Sequence, residues 1–215
     1  AWQSWTLIGS TWSPYAGTVF VWISEPTDGL WGRTRPAYSN GRNETIMPNT
    51  LTAEQLEELR GFSSPTLSNA IELFGVRPRN TGFMGPEIRC VLPLERPMIG
   101  YACTGCIRAV APADPTIPSR EAYWDWTQTI PGPRIAVLQD LDAPKAVGSF
   151  WGEVNATVHK ALGFAGTVTD GGVRDLDEVA AMGFAYFAQA VVVSHAYIHM
   201  PEFGKAVQVG GVTVR

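Results

Sequence analysis

The chain has 215 residues, 45% apolar and 17% charged, which suits one sizeable domain with a real core and excludes wholesale disorder. Twenty Asp and Glu against sixteen Lys and Arg leave a net charge of −4. That balance argues against nucleic acid as the main partner and fits a protein that holds small anions in a local pocket. No apolar run approaches the ~20 residues needed to cross a bilayer, and no secretory signal is read at the N-terminus, so no membrane partner and a cytoplasmic location are expected.

Residues 1–46 stand apart. Trp2, Trp5, Trp12, Trp22 and Trp31 scatter there among Gly, Ser, Pro and Thr without a lasting period. Residues 18–23 read as a strand, and the remainder reads as an extension foreign to the domain, with Met47 as its natural start. The Asn43-Glu44-Thr45 sequon carries no weight without an export signal. Regular signals follow Met47. Thr52-Ala53-Glu54-Gln55 is a capping box opening a short helix that Gly61 ends. Ser64-Pro65 starts a second helix to about Phe74, with Leu67, Ala70, Ile71 and Phe74 as its apolar stripe and Gly75 at its end.

Residues 75–94 are loop-rich, and strands are expected over 99–110 and 135–139. Between them lies a polar, proline-punctuated stretch in which Trp124-Asp125-Trp126 reads as strand-like or loop. Cys103-Thr104-Gly105-Cys106 looks like a redox or zinc pair. Three residues along a strand nevertheless put the two thiols on opposite faces, and no further ligands are spaced for zinc. With Cys90 they read as buried structural thiols.

A helix over 152–162 would bury Val154, Val158, Ala161 and Leu162, with His159 as a solvated side chain. A strand over 165–169, a short helix over 177–182, strands over 184–188 and 191–194, and a hairpin around Gly210-Gly211 complete the chain. The alternation places it in the mixed α/β class. His195 and His199 follow a strand-like Val191-Val192-Val193 run without an HExxH signature, so structural or substrate-pocket roles are expected before metal ligation. Ser149 has no partner that would make it a nucleophile.

The chemistry concentrates in residues 148–178. Gly152-Glu153 opens a helix whose free first-turn amides form a seat for a carboxylate. The next strand leads into Gly171-Gly172-Val173-Arg174-Asp175, where Asp175 suits a hard cation and Arg174 an oxyanion. Glu153 and Glu178 flank the pair, and a few oxygen ligands plus waters is a magnesium or manganese style of site. Taken alone, an Arg-Asp pair before a helix reads as a cap with a surface ion pair.

Glu153, then twenty residues, Arg174-Asp175, two residues and Glu178 match an acidic-X20-Arg-Asp-X2-acidic pattern. The chain thereby resembles the 4-hydroxy-4-methyl-2-oxoglutarate (4-carboxy-4-hydroxy-2-oxoadipate) aldolases of the RraA-like family. The segments 65–70, 151–153, 169–178 and 209–214 are similar too, so the resemblance covers about 51–215. It implies a β/β/α three-layer sandwich with mixed sheets, assembled as a homotrimer or hexamer with active sites between subunits. It further implies that Asp175 binds Mg2+ or Mn2+ and that Glu153 and Glu178 order metal-bound waters. Arg174 would contact the keto or enolate oxygen of the pyruvyl group. The backbone amides of Gly152, Glu153, Val154 and Asn155 would hold the substrate carboxylate.

The activity implied is cleavage of small 2-oxo acids to pyruvate, with oxaloacetate decarboxylation through the same enolate. Family members continue past residues 209–214 with a Pro-Gly-Asp turn and a final strand. A chain stopping at Arg215 is therefore expected to lack carboxylates that the tail lends to a neighbouring site. The resemblance also offers a non-enzymatic alternative, regulators of ribonuclease E, which lack the acidic residue twenty positions before the Arg-Asp pair; Glu153 is present here. Methyl transfer, also attached to the family by name, finds no glycine-rich cofactor loop after a first strand.

Overall fold

The computed structural model describes residues 50–75 and 77–215, together with the backbone of 5–9 and 18–22. The first helix, α1 (Ala53–Leu59), forms where its capping box predicts. The Gln55 amide donates to the Thr52 hydroxyl (3.2 Å), and the Thr52 amide donates back to the Gln55 side chain (2.9 Å). Ser63, one residue earlier than expected, caps α2 (Ser64–Leu73), and Pro65 sits in its first turn. Leu67 and Ile71 of the expected stripe pack with Leu56 and Ile99. Phe74 does not; it falls at the C-cap, where the helical register ends, and is 62% exposed.

Among the described residues nine strands form one mixed sheet: β1 (Trp5–Gly9), β2 (Thr18–Trp22), β3 (Arg89–Cys90), β4 (Met98–Arg108), β5 (Arg134–Asp140), β6 (Ser149–Trp151), β7 (Phe164–Val173), β8 (Ala185–Val191) and β9 (His199–Phe203). The order is β1-β2-β4-β5-β7-β8-β3, with β6 beside β7 and β9 beside β4. Strands β2, β4, β5, β7 and β8 run parallel, and β1, β3 and β9 pair antiparallel with their neighbours. Part of the stretch expected to be foreign thus joins the sheet: β2 pairs with β4 from Val19↔Met98 to Trp22↔Tyr101. The Asn43 sequon and Met47 lie outside the described residues.

The pleat sorts side chains onto two faces with period two. Met98, Cys106, Ile135, Val137, Val168 and Phe187 point to one face, beneath the hairpin of β10 (Val207–Val209) and β11 (Val212–Val214). Cys103, Ile107, Ala136, Leu138, Tyr186 and Ala188 point to the other. That face is covered by α3 (Arg120–Thr127), α4 (Glu153–Ala161) and α5 (Leu176–Ala181), which contribute Tyr123, Ala156 and Val179. Hairpin, sheet and helices make a β/β/α three-layer sandwich. Among the described residues no helix is long and apolar enough to cross a membrane.

Three local expectations change. Trp124-Asp125-Trp126 is helical, because Ser119 caps the Ala122 amide and burial of Tyr123 and Thr127 at i, i+4 spacing favours α3. Residues 191–194 form no separate strand; β8 runs unbroken to Val191 and stops. The buried face of α4 is not the expected one: His159, expected in solvent, is fully buried with Ala156 on the sheet-facing side, while Val154 is 74% exposed and Ala161 is exposed too. The cysteines behave as expected. Cys103 and Cys106 belong to opposite faces, and burial pushes their thiols up to about 12 and about 11.

Candidate active site

The Arg-Asp pair leaves the C-terminal end of β7, where parallel strands deliver ligand-binding loops. Its position is fixed on both sides. The Arg174 amide donates to the Trp151 carbonyl at the end of β6 (2.9 Å), and the Val192 amide donates to the Val173 carbonyl (2.9 Å). Gly172 permits this crowding, since a Cβ there would lie 2.6 Å from Val192. Beside it, β6 turns through Gly152 into α4.

Asp175 is the N-cap of α5 by position but makes no capping hydrogen bond with its side chain. It adopts a left-handed backbone, φ 57° and ψ 49°, a conformation costing a non-glycine residue about 1 kcal/mol or more. The strain turns the carboxylate away from its own helix. Asp175 Oδ2 accepts the Glu153 amide at the start of α4 (3.0 Å) and lies 3.6 Å from Arg174 Nε. Glycine at 152 leaves room for this approach: a Cβ there would sit 2.4 Å from Asp175 Oδ2 and displace the carboxylate. Oδ1 accepts no hydrogen bond among the described residues, and the side chain stays one-third exposed. The arrangement decides against an ordinary cap.

Gly152 also leaves α4 without a side-chain cap, so the first-turn amides of Val154 and Asn155 have no helical partner. They border an open cleft of about 490 Å³ whose walls include Arg120, Ser149, Phe150, Arg174 and His195. None of its lining residues is acidic. Ser149 donates its hydroxyl to the Trp151 and Gly172 carbonyls and is spent on structure, as the lack of a partner base predicts. His195 does take a pocket position, its ring Nδ1 2.6 Å from the Ala196 carbonyl oxygen, while His199 begins β9.

Of the residues expected at the site, Gly152, Val154, Asn155 and Arg174 line the cleft, and Asp175 stands directly behind Gly152. Glu153 contributes its amide; its side chain is exposed, as is that of Glu178. Among the described residues no three His, Cys, Asp or Glu are placed to hold one ion together, so Glu153, Asp175 and Glu178 do not form a three-carboxylate cage. A hard cation here would have one direct carboxylate ligand, Asp175 Oδ1. Magnesium accepts such a site when waters and substrate oxygens complete its shell.

Sequence reasoning missed the buried aromatic cluster packed against α4. Trp151, His159 and Tyr186 are fully buried, with Trp151 and His159 4.6 Å apart between ring centroids. His159 Nδ1 meets the Asn155 carbonyl oxygen (2.6 Å), and burial lowers its pKa to about 4. Burial also drives the Tyr186 phenol well above its ordinary value; Asp175 adds to the rise and Arg174 opposes it, which places Tyr186 within electrostatic reach of the pair.

A mixed β/β/α sandwich with a cationic, helix-capped cleft at its strand ends is an architecture suited to small carboxylates. A family profile described as RraA-like, Aldolase/RraA, matches residues 65–215, and the chain belongs to the RraA-like family. A search of curated proteins finds no match. Among solved structures, an uncharacterized protein from Pseudomonas syringae pv. tomato str. DC3000 aligns with a TM-score of 0.59 at 19% identity, over 81% of this chain and 74% of that one. A protein described among novel cellulases from gut-associated microbes aligns at 0.56 and 15%, over 80% and 74%. Streptomyces coelicolor RraAS2, described as an unusual member of the RNase ES inhibitor RraA protein family, aligns at 0.55 and 17%, over 76% and 78%. At such identities the likeness is one of fold. The family includes both aldolases and ribonuclease inhibitors.

Proposed function

We propose that this chain is a lyase that releases pyruvate from small 2-oxo acids, cleaving 4-hydroxy-4-methyl-2-oxoglutarate-type substrates and decarboxylating oxaloacetate. The observation that carries the reading is the strained Asp175. It declines to cap its own helix, anchors on the Glu153 amide, and keeps one carboxylate oxygen open beside Arg174. Asp175 is the residue that would hold a Mg2+ or Mn2+ ion, with Glu153, whose amide it accepts, and Glu178, in the first turn of α5, as the residues that would order its waters. When bound, that ion would supply Lewis-acid polarisation of a keto oxygen.

The chain's own groups do the rest. The Val154 and Asn155 amides seat the substrate carboxylate at the positive end of α4. Arg174 sets a fixed positive charge where the keto oxygen becomes an enolate oxygen. Glu153, an exposed side chain at the start of α4, accepts the C4 hydroxyl proton through a water. The active form is a homotrimer or hexamer, in which a neighbouring copy closes the open side of the cleft.

The test is a coupled pyruvate-release assay with oxaloacetate and 4-hydroxy-4-methyl-2-oxoglutarate, with and without magnesium. Release is expected to require the metal and to vanish in Asp175→Ala. No release above the spontaneous rate for either substrate would overturn the lyase and leave the alternative, a ribonuclease regulator.

A further inference from the structure

The cleft holds a second cation that the reaction above does not use. Arg120 opens α3 and projects into the same cleft as Arg174. Its guanidinium carbon lies 5.8 Å from the centroid of the Phe150 ring. Phe150 is itself fixed, 3% exposed, with its carbonyl accepting the Asn155 side-chain amide. Among the described residues, no carboxylate comes within ion-pair distance of Arg120; the neighbouring Glu121 only feels its charge.

An arginine at the first position of a helix also faces the positive end of the helix dipole, which disfavours it. A cation held against these odds, over the face of a buried ring and in a cleft whose lining residues include no acid, awaits an anion from outside. The helix-end amides and Arg174 already serve one carboxylate and its keto group.

We infer that Arg120 is the specificity-determining residue that reads the distal carboxylate of these 2-oxo dicarboxylates and so separates them from 2-oxo monocarboxylates. The inference deepens the lyase reading and rests on its placement of the first carboxylate. Arg120 acts on specificity rather than on the breaking bond, and its removal raises KM for a dicarboxylate while leaving kcat nearly unchanged.

The test uses two five-carbon ligands that the proposed reaction leaves intact, 2-oxoglutarate and 2-oxopentanoate, which differ in having a carboxylate or a methyl group at the far end. Their binding to the full chain is followed by calorimetry in the presence of magnesium. The wild type is expected to favour 2-oxoglutarate. Arg120→Gln is expected to weaken it roughly tenfold or more while shifting 2-oxopentanoate less than about twofold, and Arg120→Lys to recover part of the loss. Equal weakening of both ligands, no weakening, or no binding of either to the wild type overturns the assignment. So does inorganic phosphate binding in place of 2-oxoglutarate with the same Arg120 dependence. The pyruvate assay separates the two readings, because catalysis with an unchanged Arg120→Gln profile removes this inference alone.

Discussion

Two groups of carboxylates sit at the same end of the sheet and are used in opposite ways. Asp140, Asp142 and Asp170 are buried, and each takes two donors: Asp142 Oδ2 accepts the Ala109 and Val110 amides, Asp140 accepts those of Asp142 and Ala146, and Asp170 accepts the Asp140 amide and the Lys145 ammonium. Asp175 is half-buried, strained and only half satisfied. Acids that staple loops are buried and doubly held. An acid kept for chemistry stays partly exposed with a single amide donor and tolerates an unfavourable backbone to do so.

Glycine at position 175 gives the sharpest test of that contrast. Asp175→Gly removes the carboxylate and relieves the left-handed strain together. Pyruvate release should fall by about 10³ or more, while denaturant unfolding shows unchanged stability or a gain of up to about 1 kcal/mol. A stability loss instead would move Asp175 into the stapling group. Arg174→Ala comes next, with a loss on the order of 10²–10³ in kcat, expected for a donor that meets a developing oxyanion. Turnover at the wild-type rate removes Arg174 from the chemistry.

Asp142→Ala should reverse the pattern. It leaves two amides without a partner and should lower stability by about 3 kcal/mol in urea titration, while the folded fraction keeps its turnover. Activity lost out of proportion to folding would break the division between the two groups. A buried histidine gives an effect graded in pH. Buried His159, with a folded pKa of about 4 against an unfolded value near 6.5, stays neutral in the fold while the unfolded chain takes up a proton. Stability is therefore fully present above about pH 7 and declines as pH falls from about 6.5 to 4, by at most on the order of 3 kcal/mol. The urea midpoint measured across that window should flatten in His159→Phe.

The legible parts of the molecule were those governed by local rules. Alternation along β4 predicts opposite faces for Cys103 and Cys106, and the capping box of the first helix is written in its own residues, while the cap of the second falls one residue earlier than read. The approach of Gly152 to Asp175 was legible only through the spacing that resembles a family, because no local rule relates two strand ends. His159 was misread because the buried face of a helix is chosen by its partners, here Tyr123, Trp151 and Phe164, which come from three other elements or their ends. Arg120 left no signal at all. Its meaning comes from Phe150 and the cleft, and an arginine in a polar, proline-punctuated stretch looks like surface.

Strand β4 divides one edge between two neighbours, β2 at its start and β9 at its end. The second pairing joins Cys106 to Glu202, far apart in sequence. Such a closure is slow to find, because the loop entropy is lost before the contact is gained. Refolding should proceed over about milliseconds to seconds rather than microseconds. Until β9 arrives, half of that edge stays open, and dilution will decide between productive folding and association of half-formed chains.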